Sequence, residues 1–340
     1  MHGTVIKTTG NWYVVRTDDG RTLECKVKGN FRLRGIRSTN PVAVGDRVTV
    51  DTEGPAEKAA GKGRKKKRDL PPAPGTVTET TAPLPQTAYI TEIDDRRNYI
   101  VRKSSNLSKQ SHILAANVDQ AVLVVTVARP ETSTTFIDRF LASAEAYRVP
   151  VLLCFNKADE LDGENRERAE YLLSVYRGIG YGCHLISALT GTGIDGLLAD
   201  LRDRTSLLAG HSGVGKSTLL NLLIPDAHAR TAGISEAHGT GMHTTTYSEL
   251  FDLPGGGALI DIPGIKGFGT FNMEPEEVGH FFRDIFDIAR GCRFGNCTHT
   301  HEPGCAVLDA LARHRLAPTR YASYLSMLED KDEDRYRPAF

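Results

Sequence analysis

The most chemically specific segment of the chain is a glycine-rich loop that matches G-x-x-x-x-G-K-[ST] at every position, from Gly210 to Ser217. Backbone N–H groups of such a loop close around phosphate oxygens, and the positive end of the following helix adds to the attraction. Lys216 is expected to reach the β- and γ-phosphates, and the Ser217 hydroxyl to bind Mg²⁺. The phosphate-side residues are Gly210, His211, Ser212, Gly213, Val214, Gly215, Lys216, Ser217 and Thr218.

A second segment, Asn156-Lys157-Ala158-Asp159, predicts which base is bound. The Asp159 carboxylate can accept hydrogen bonds from the N1–H and the exocyclic amine of guanine, whereas adenine would leave it unpaired. The segment therefore predicts GTP rather than ATP. Asn156 is expected to support the base edge, and the stem of Lys157 to lie along the ring. The remaining base-side contacts are predicted at Ser187, Ala188 and Leu189.

A third segment, Asp261-Ile262-Pro263-Gly264, predicts the metal and γ-phosphate side of the site. Asp261 is expected to hold Mg²⁺ through water, and the Gly264 N–H to lie near the γ-phosphate. Residues 229–246 are rich in glycine, threonine and histidine, and their pattern predicts a switch that orders around the γ-phosphate and metal. One of Thr244, Thr245 and Thr246 should bind the metal, and Thr245 is favoured.

The group that activates the attacking water is harder to assign. Many GTPases place a glutamine directly after this third motif, but Ile265 stands there and cannot orient water. His243, inside the predicted switch, is the favoured catalytic residue because a neutral imidazole can orient a water or accept its proton near pH 7. His211 and His238 remain rival candidates.

The order of these motifs is unusual, because both base-binding segments precede the phosphate loop. Each segment ends a short apolar run typical of a β-strand, and nucleotides bind at the carboxyl ends of parallel strands. The segments can share one nucleotide only if the domain has been circularly permuted.

A separate constellation reads C-x4-C-x-H-x5-C, at Cys292, Cys297, His299 and Cys305. Three thiolates and one imidazole suit a closed tetrahedral zinc site with a structural role. Three cysteines cannot pair evenly, so a disulfide framework is disfavoured. The residues alone do not decide between His299 and His301 as the fourth ligand.

Charge is distributed unevenly along the 340 residues, although the formal net charge is zero. Residues 1–110 contain 21 Lys and Arg against 12 Asp and Glu, so this part should attract phosphate backbones. A cluster at Lys62–Arg68 lies in a segment, 53–75, with no hydrophobic period. It is either a solvated loop or an arm that grips RNA.

The pattern predicts a multidomain protein in three parts. Residues 1–108 alternate as short strands around Asp18-Asp19-Gly20, which favours a β-barrel of the OB-fold with 53–75 inserted as a disordered loop. Residues 109–270 alternate strand and helix, as an α/β P-loop domain does. Residues 271–340 are expected to be mostly helical around the zinc site, beginning with a helix over 274–289. The aromatic residues Trp12, Tyr13, Phe31 and Tyr89 could stack on RNA bases, although each is better explained as barrel core.

Composition is typical of a water-soluble, cytoplasmic protein, with 40% hydrophobic residues and no apolar run long enough to span a membrane. Cys25, Cys154 and Cys183 lie in strand-like runs, which predicts buried, reduced thiols. A monomer is expected.

The motif order, the His-Thr-Thr-Thr run at 243–246 and the metal cluster together resemble the ribosome small-subunit-dependent GTPase A family of bacteria. The resemblance covers nearly the whole chain. It implies an OB-fold, a permuted GTPase domain and a zinc domain, with His299 as the zinc ligand and His243 in place of the missing glutamine. It also implies GTP and GDP as ligands, and the 30S subunit with its 16S rRNA as partners. Met242 departs from the family's usual arginine, and Ile262 from its usual serine or threonine.

Two functions of different classes are compatible with these patterns. In the first, the protein is a GTPase that assists late maturation of the 30S subunit, hydrolysing GTP to GDP and phosphate when docked. In the second, it is an RNA-binding scaffold whose guanine nucleotide is structural. The metal ligands and the switch favour the first, because a structural nucleotide needs no γ-phosphate sensor.

Overall fold

The structure is a computed structural model, and it describes residues 1–9, 12–27, 41–52, 88–103, 111–225, 248–262, 273 and 275–329. Several predicted features lie outside the described residues and stay predictions. They are the switch over 229–246, which includes His238, Met242, His243 and Thr245; Gly264 and Ile265; Phe31; and the basic segment 53–75.

The N-terminal part is a five-stranded barrel. Its strands are β1 (His2–Thr8), β2 (Tyr13–Thr17), β3 (Thr22–Val27), β4 (Arg47–Asp51) and β5 (Ala88–Ile93). They are ordered β1-β2-β3-β5-β4, and β4 pairs with β1 to close the barrel. The predicted hairpin around residues 18–20 is confirmed, and the buried residues alternate along each strand as a barrel interior requires. The inward side chains are Val5, Tyr13, Val15, Cys25, Val48, Val50, Ala88 and Ile90.

The alternating pattern of the sequence also predicts strands over 42–50 and 87–101, and both are shorter in the structure. The strand expected over 42–50 begins only at Arg47, because Gly45 has a φ of +91° and turns the chain before it. The strand expected over 87–101 ends at Ile93, and the chain starts again as β6 (Tyr99–Lys103). This second strand pairs with β7 (Ser111–Ala116) in a separate two-stranded sheet.

The middle of the chain forms a parallel sheet. Its strands are β8 (Gln120–Val125), β9 (Val151–Phe155), β10 (Gly182–Leu185), β11 (Thr205–Ala209), β12 (Glu249–Asp252) and β13 (Ala258–Asp261). Their order across the sheet is β10-β9-β8-β11-β13-β12, with β12 antiparallel to its neighbour β13. The apolar run over 205–209 predicts β11, whereas β12 was not predicted because it has only two apolar residues, Leu250 and Phe251, between two charged ones.

Helices cover both faces of this sheet, as buried strands with apolar residues on both faces require. The helices are α1 (Thr134–Ala146), α2 (Gly163–Ile179), α3 (Ile194–Leu201) and α4 (Lys216–Leu223). Leu123 and Leu153 pack with α1 and α2 on one face. Val122 and Leu152, one residue earlier in each strand, pack with α3 and α4 on the other. The fold is therefore a doubly covered α/β sheet.

The barrel and the parallel sheet are joined edge to edge through β1. The pairing of β1 with β2 shifts register between Val5 and Lys7, and a bulge of this kind bends a strand and re-aims it. Beyond the bulge, Lys7 pairs with Glu249 of β12, and the Thr8 N–H donates to the Ser248 carbonyl at 3.2 Å. The two sheets become one eleven-stranded sheet.

The C-terminal part is mostly helical, as predicted, but its first helix is interrupted. In place of one helix over 274–289 there are α5 (Pro275–Val278), a 3-10 turn at Gly279–Phe281 and α6 (Arg283–Ala289). The break lies at Phe282, which has φ −102° and ψ 97° and is fully buried. The helix breaks here because the chain takes a non-helical conformation that buries the Phe282 side chain. Two further helices follow, α7 (Ala306–Ala312) and α8 (Pro318–Leu328).

Among the residues described, none of the helices combines the length and apolar character needed to cross a membrane.

Candidate functional site

Four strand ends bring the predicted nucleotide motifs to one edge of the parallel sheet. The base-side segment over 156–159 follows β9, and the turn over 187–189 follows β10, its neighbour. The phosphate loop follows β11, and Asp261 is the last residue of β13, which is also its neighbour. Since these strands are parallel, their carboxyl ends lie on the same side. The motifs, scattered over more than a hundred residues of sequence, meet in space.

The phosphate loop packs so tightly that glycine is required at two of its positions. Gly210 has a φ of +143°, and a Cβ there would lie 2.3 Å from the Val124 carbonyl oxygen. Gly215 has a φ of +95°, and a Cβ there would lie 2.4 Å from the Asn156 amide nitrogen. Only glycine fits both the left-handed backbone and these approaches. The next residue, Lys216, begins α4.

Lys216 and Asp261 place opposite charges at the head of the phosphate loop. The Lys216 ammonium donates to the carbonyl oxygens of Gly210 and His211, at 2.7 and 2.5 Å. Burial lowers the pKa of Lys216, and Asp261 opposes that change. Burial likewise raises the pKa of Asp261, and Lys216 opposes that change. Leu208, close to the end of β11, pairs with Asp261, so the carboxylate is adjacent to the loop.

Asn156 joins the base-side and phosphate-side loops. Its amide nitrogen donates to the carbonyl oxygen of Val214 at 2.8 Å, and its amide oxygen accepts from the N–H of Ala188 at 2.9 Å. The side chain is buried, so each of these bonds would be costly to lose. The sequence predicted that Asn156 supports the base loop; the bond to the phosphate loop was not predicted.

Asp159 contacts the second base-side turn. The Ser187 hydroxyl donates to the Asp159 carboxylate, and the Thr190 N–H donates to the Ser187 oxygen at 3.1 Å. Lys157 has a left-handed backbone, with φ 66°, and its ammonium donates to the Arg129 carbonyl at 2.5 Å. Leu189, in the same turn, is 77% exposed, so its side chain is available to a partner or ligand.

His211, the rival catalytic residue in the phosphate loop, packs against α1. Its ring centroid lies 3.6 Å from that of Phe136, and burial, with the nearby Lys216, lowers its pKa. The surroundings therefore favour the neutral ring, which packs against an aromatic neighbour. No sequence motif identified Phe136, because an aromatic residue in an amphipathic helix is usually part of the core.

The second candidate centre is the Cys and His cluster. The ligand atoms of Cys292, Cys297, His299 and Cys305 all lie within 4.8 Å of one another. The His299 Nδ1 lies 3.6 Å from the Cys292 sulfur and 3.5 Å from that of Cys305. Zn–S and Zn–N bonds of about 2.3 and 2.0 Å place tetrahedral ligands about 3.5 Å apart, so the donor set fits zinc. His301 does not belong to this cluster; it is exposed and contacts Thr300.

The surroundings of the cluster hold the ligands in place. The Ala306 N–H points to the Cys292 sulfur at 3.4 Å, and the Leu308 N–H to the Cys305 sulfur at 3.5 Å. Burial lowers the pKa of His299, which favours the neutral imidazole that a metal requires. From α8, the Tyr321 hydroxyl donates to the His299 carbonyl at 2.8 Å. These contacts are typical of a structural metal site, whose supporting groups fix the ligand positions.

A buried ion network attaches the C-terminal helices to the parallel-sheet domain. Arg320 of α8 lies 2.7 Å from Asp138 of α1 and 2.7 Å from Asp284 of α6. The side chains of Arg320 and Asp138 are 1% and 0% exposed. The Tyr176 hydroxyl of α2 also donates to Asp138, at 2.9 Å. The sequence predicted the helices but not this network, because buried charge pairs carry no local signature.

The fold and the site together define a circularly permuted P-loop GTPase, with an OB-type barrel before it and a helical part that carries the Cys and His cluster after it. The family model for RsgA GTPase matches residues 93–271, and the model for the RsgA N-terminal domain matches residues 2–60. The chain belongs to the RsgA GTPase family.

Relatives and solved structures match this chain over nearly its whole length. The small ribosomal subunit biogenesis GTPase RsgA of Bacteroides fragilis is 57% identical, and that of Porphyromonas gingivalis 55%, each over 100% of both chains. The crystal structure of YjeQ from Thermotoga maritima has a TM-score of 0.70 and 31% identity, covering 96% of both chains. The crystal structure of YloQ, described as a circularly permuted GTPase, has a TM-score of 0.67 and 27% identity, covering 99% of this chain and 96% of YloQ.

Proposed function

We propose that this protein hydrolyses GTP to GDP and phosphate when it is docked on an immature small ribosomal subunit, and that it thereby assists late maturation of that subunit. The observation that carries the proposal is the convergence of the base-side turns, the phosphate loop and Asp261 at one sheet edge. The relatives named small ribosomal subunit biogenesis GTPase RsgA, at more than 50% identity over the full chain, support the choice of partner.

In the proposed mechanism, Asp159 pairs with guanine, while Asn156 and the turn over 187–189 hold the base-side loops together. Lys216 and the backbone N–H groups over 210–218 bind the phosphates, and the N–H of Gly264 lies near the γ-phosphate. His243 orients the attacking water and accepts its proton.

The residues at the phosphate edge also fit a divalent cation. Ser217 supplies a hydroxyl beside Lys216, and Asp261 supplies a carboxylate at the end of the neighbouring strand. Mg²⁺ would be held by Ser217, Thr245 and Asp261, and it neutralises phosphate charge when bound. Zn²⁺ would be held by Cys292, Cys297, His299 and Cys305 as one structural ion per chain.

The rRNA-binding surface is proposed to include the barrel and its basic arm at Lys62–Arg68. Among the described residues of the barrel, Trp12 suits base stacking: it is 37% exposed, and the Lys26 ammonium lies 4.2 Å from its ring centroid. Tyr13 is barrel core as expected, whereas the same expectation for Trp12 was wrong. We also propose that the protein is cytoplasmic and monomeric, and that it binds the 16S rRNA of the 30S particle.

The decisive experiment measures GTP turnover with and without purified 30S particles. The proposal predicts a turnover that rises strongly with the particles and saturates. Turnover that ignores them would favour the alternative, an RNA-binding scaffold with a structural nucleotide.

A second experiment tests the arm. Deleting residues 56–72 should weaken 30S binding and flatten its dependence on salt, without changing GTP affinity, because the deleted cations no longer displace counterions from rRNA. An unchanged salt slope would refute the role of the arm.

A further inference from the structure

Three charged residues lie in a row across β1, β12 and β13. Glu249 of β12 pairs directly with Lys7 of β1 on one side and with Asp261 of β13 on the other. Residues that face each other in antiparallel strands point to the same side of the sheet, with Cβ atoms about 4.5–5.5 Å apart. Only Glu249 therefore lies between Lys7 of the N-terminal barrel and Asp261, the proposed metal-binding aspartate.

The row lies on the phosphate-loop face of the sheet. Phe251 and Leu259, each two residues from a member of the row, pack in the cluster that contains α4. The helix α4 begins at Lys216 of the phosphate loop. Ile6, one residue before Lys7, packs against the opposite cluster. Alternation along each strand thus places the three charges on the face where the phosphates are expected.

Without Lys7, the row would contain two carboxylates and no positive charge. Two carboxylates that face each other across strands destabilise a sheet, and Glu249 faces Asp261. The Lys7 ammonium lies 2.7 Å from the Glu249 carboxylate, and these side chains are only 13% and 19% exposed. An ion pair with so little exposure is weakly screened by solvent. Lys7 therefore neutralises the Glu249 carboxylate that faces Asp261.

We propose that Lys7 and Glu249 are positioning residues of the metal half of the nucleotide site, through which the barrel sets how strongly Mg²⁺ and GDP bind together. The inference rests on the proposed role of Asp261 toward Mg²⁺. When the barrel supplies Lys7, the charge of Glu249 is masked. When Lys7 is lost or withdrawn, a second carboxylate acts on the site, repelling phosphate and favouring the cation.

The test measures affinity for a fluorescent GDP analogue in EDTA and across a Mg²⁺ titration. Lys7→Met should weaken binding in EDTA about fivefold, while saturating Mg²⁺ restores most of it, as expected for one uncompensated negative charge near the phosphates. The coupling between Mg²⁺ and GDP is the factor by which Mg²⁺ tightens GDP binding. Lys7→Met should increase this factor, and Glu249→Gln should decrease it. The double variant should return the coupling to within about twofold of the unaltered protein, because the two missing charges cancel.

The second ion pair between barrel and β12 provides a matched control. Arg16 lies 2.5 Å from Asp252, but these side chains are 38% and 58% exposed, and Asp252 is at the other end of the strand. Arg16→Gln should leave the Mg²⁺–GDP coupling unchanged, and Lys7→Arg should keep it near the original value. The inference is overturned if Arg16→Gln changes the coupling as much as Lys7→Met, or if the double variant is as altered as Lys7→Met, since either result means that only docking of the barrel matters.

The variant Asp261→Asn separates this inference from the function on which it rests. If Asp261→Asn leaves the Mg²⁺ dependence unaltered, the proposed metal role of Asp261 fails. If Asp261→Asn removes the dependence while Lys7→Met has no effect, only the role of Lys7 and Glu249 fails.

Discussion

The Asn156 side chain donates to the Val214 carbonyl at 2.8 Å, so one buried amide connects the base-side segment to the phosphate loop. Asn156→Ala removes this bond and the bond from the Ala188 N–H, leaving buried partners unsatisfied. We expect GDP affinity to fall at least about tenfold, because each unsatisfied buried group costs about 1–3 kcal/mol. Equilibrium binding of labelled GDP measures the loss. Asn165→Ala is the control, since Asn165 is only partly buried and bonds the exposed Asp162 of the same helix start; an equal loss there would contradict the connecting role.

His243 lies outside the described residues, and its catalytic role remains a prediction. His243→Ala should lower kcat by about 10²-fold, the smaller end of the range for general acid–base groups, while GTP affinity stays nearly unchanged. Single-turnover hydrolysis with a separate binding titration measures both quantities. His211→Ala is the comparison, because the His211 ring packs on Phe136. The assignment is wrong if His243→Ala weakens binding as much as turnover, or if His211→Ala has the larger effect on kcat.

Local motifs predicted which segments form the proposed nucleotide site, and the contacts that they did not predict depend on long-range pairing. Gly215 could be placed in a phosphate loop from sequence because the loop needs its backbone geometry. The contact of Asn156 with Val214 could not, because it joins segments 58 residues apart through a sheet order that the motifs do not encode.

The pairing of β1 with β12 was missed for a related reason. β12 has only Leu250 and Phe251 between two charged residues, and Lys7, the β1 residue that pairs with Glu249, is 242 positions away. Phe282 shows the same limit in the C-terminal helices, where burial of one side chain breaks a helix that its local pattern favours. The fold class, by contrast, could be predicted from strand and helix patterns together with the motifs and the family resemblance that they carry.

The metal cluster predicts a zinc content that depends on particular residues. Purified protein should contain about one zinc per chain, and Cys305→Ser should lose it and become sensitive to proteolysis over 290–329, because binding free energy stabilises this segment. Elemental analysis and limited proteolysis measure the two effects. His301→Ala should keep its zinc, since His301 is outside the cluster. Retention of zinc by a His299→Ala variant, together with its loss from His301→Ala, would reverse the ligand assignment.

The Arg320 network predicts a large stability effect far from the nucleotide. Arg320→Met leaves the fully buried Asp138 and the mostly buried Asp284 without their cation. Breaking one partner of a buried ion pair costs about 3–5 kcal/mol, so the variant should unfold at clearly lower urea concentration. Arg290→Gln is the control, because its pair with Asp287 is about 70% exposed and should contribute little. Similar urea midpoints for the two variants would show that the network does not stabilise the domain contact.

The nucleotide preference of Asp159→Asn tests most directly whether the separated motifs bind one guanine nucleotide. Competition between GDP and XDP for the variant is the measurement. An amide at this position can donate to the C2 oxygen of xanthine but cannot accept both guanine donors, so we expect the variant to prefer XDP and the unaltered protein to prefer GDP. Undiminished preference for GDP in Asp159→Asn would contradict it.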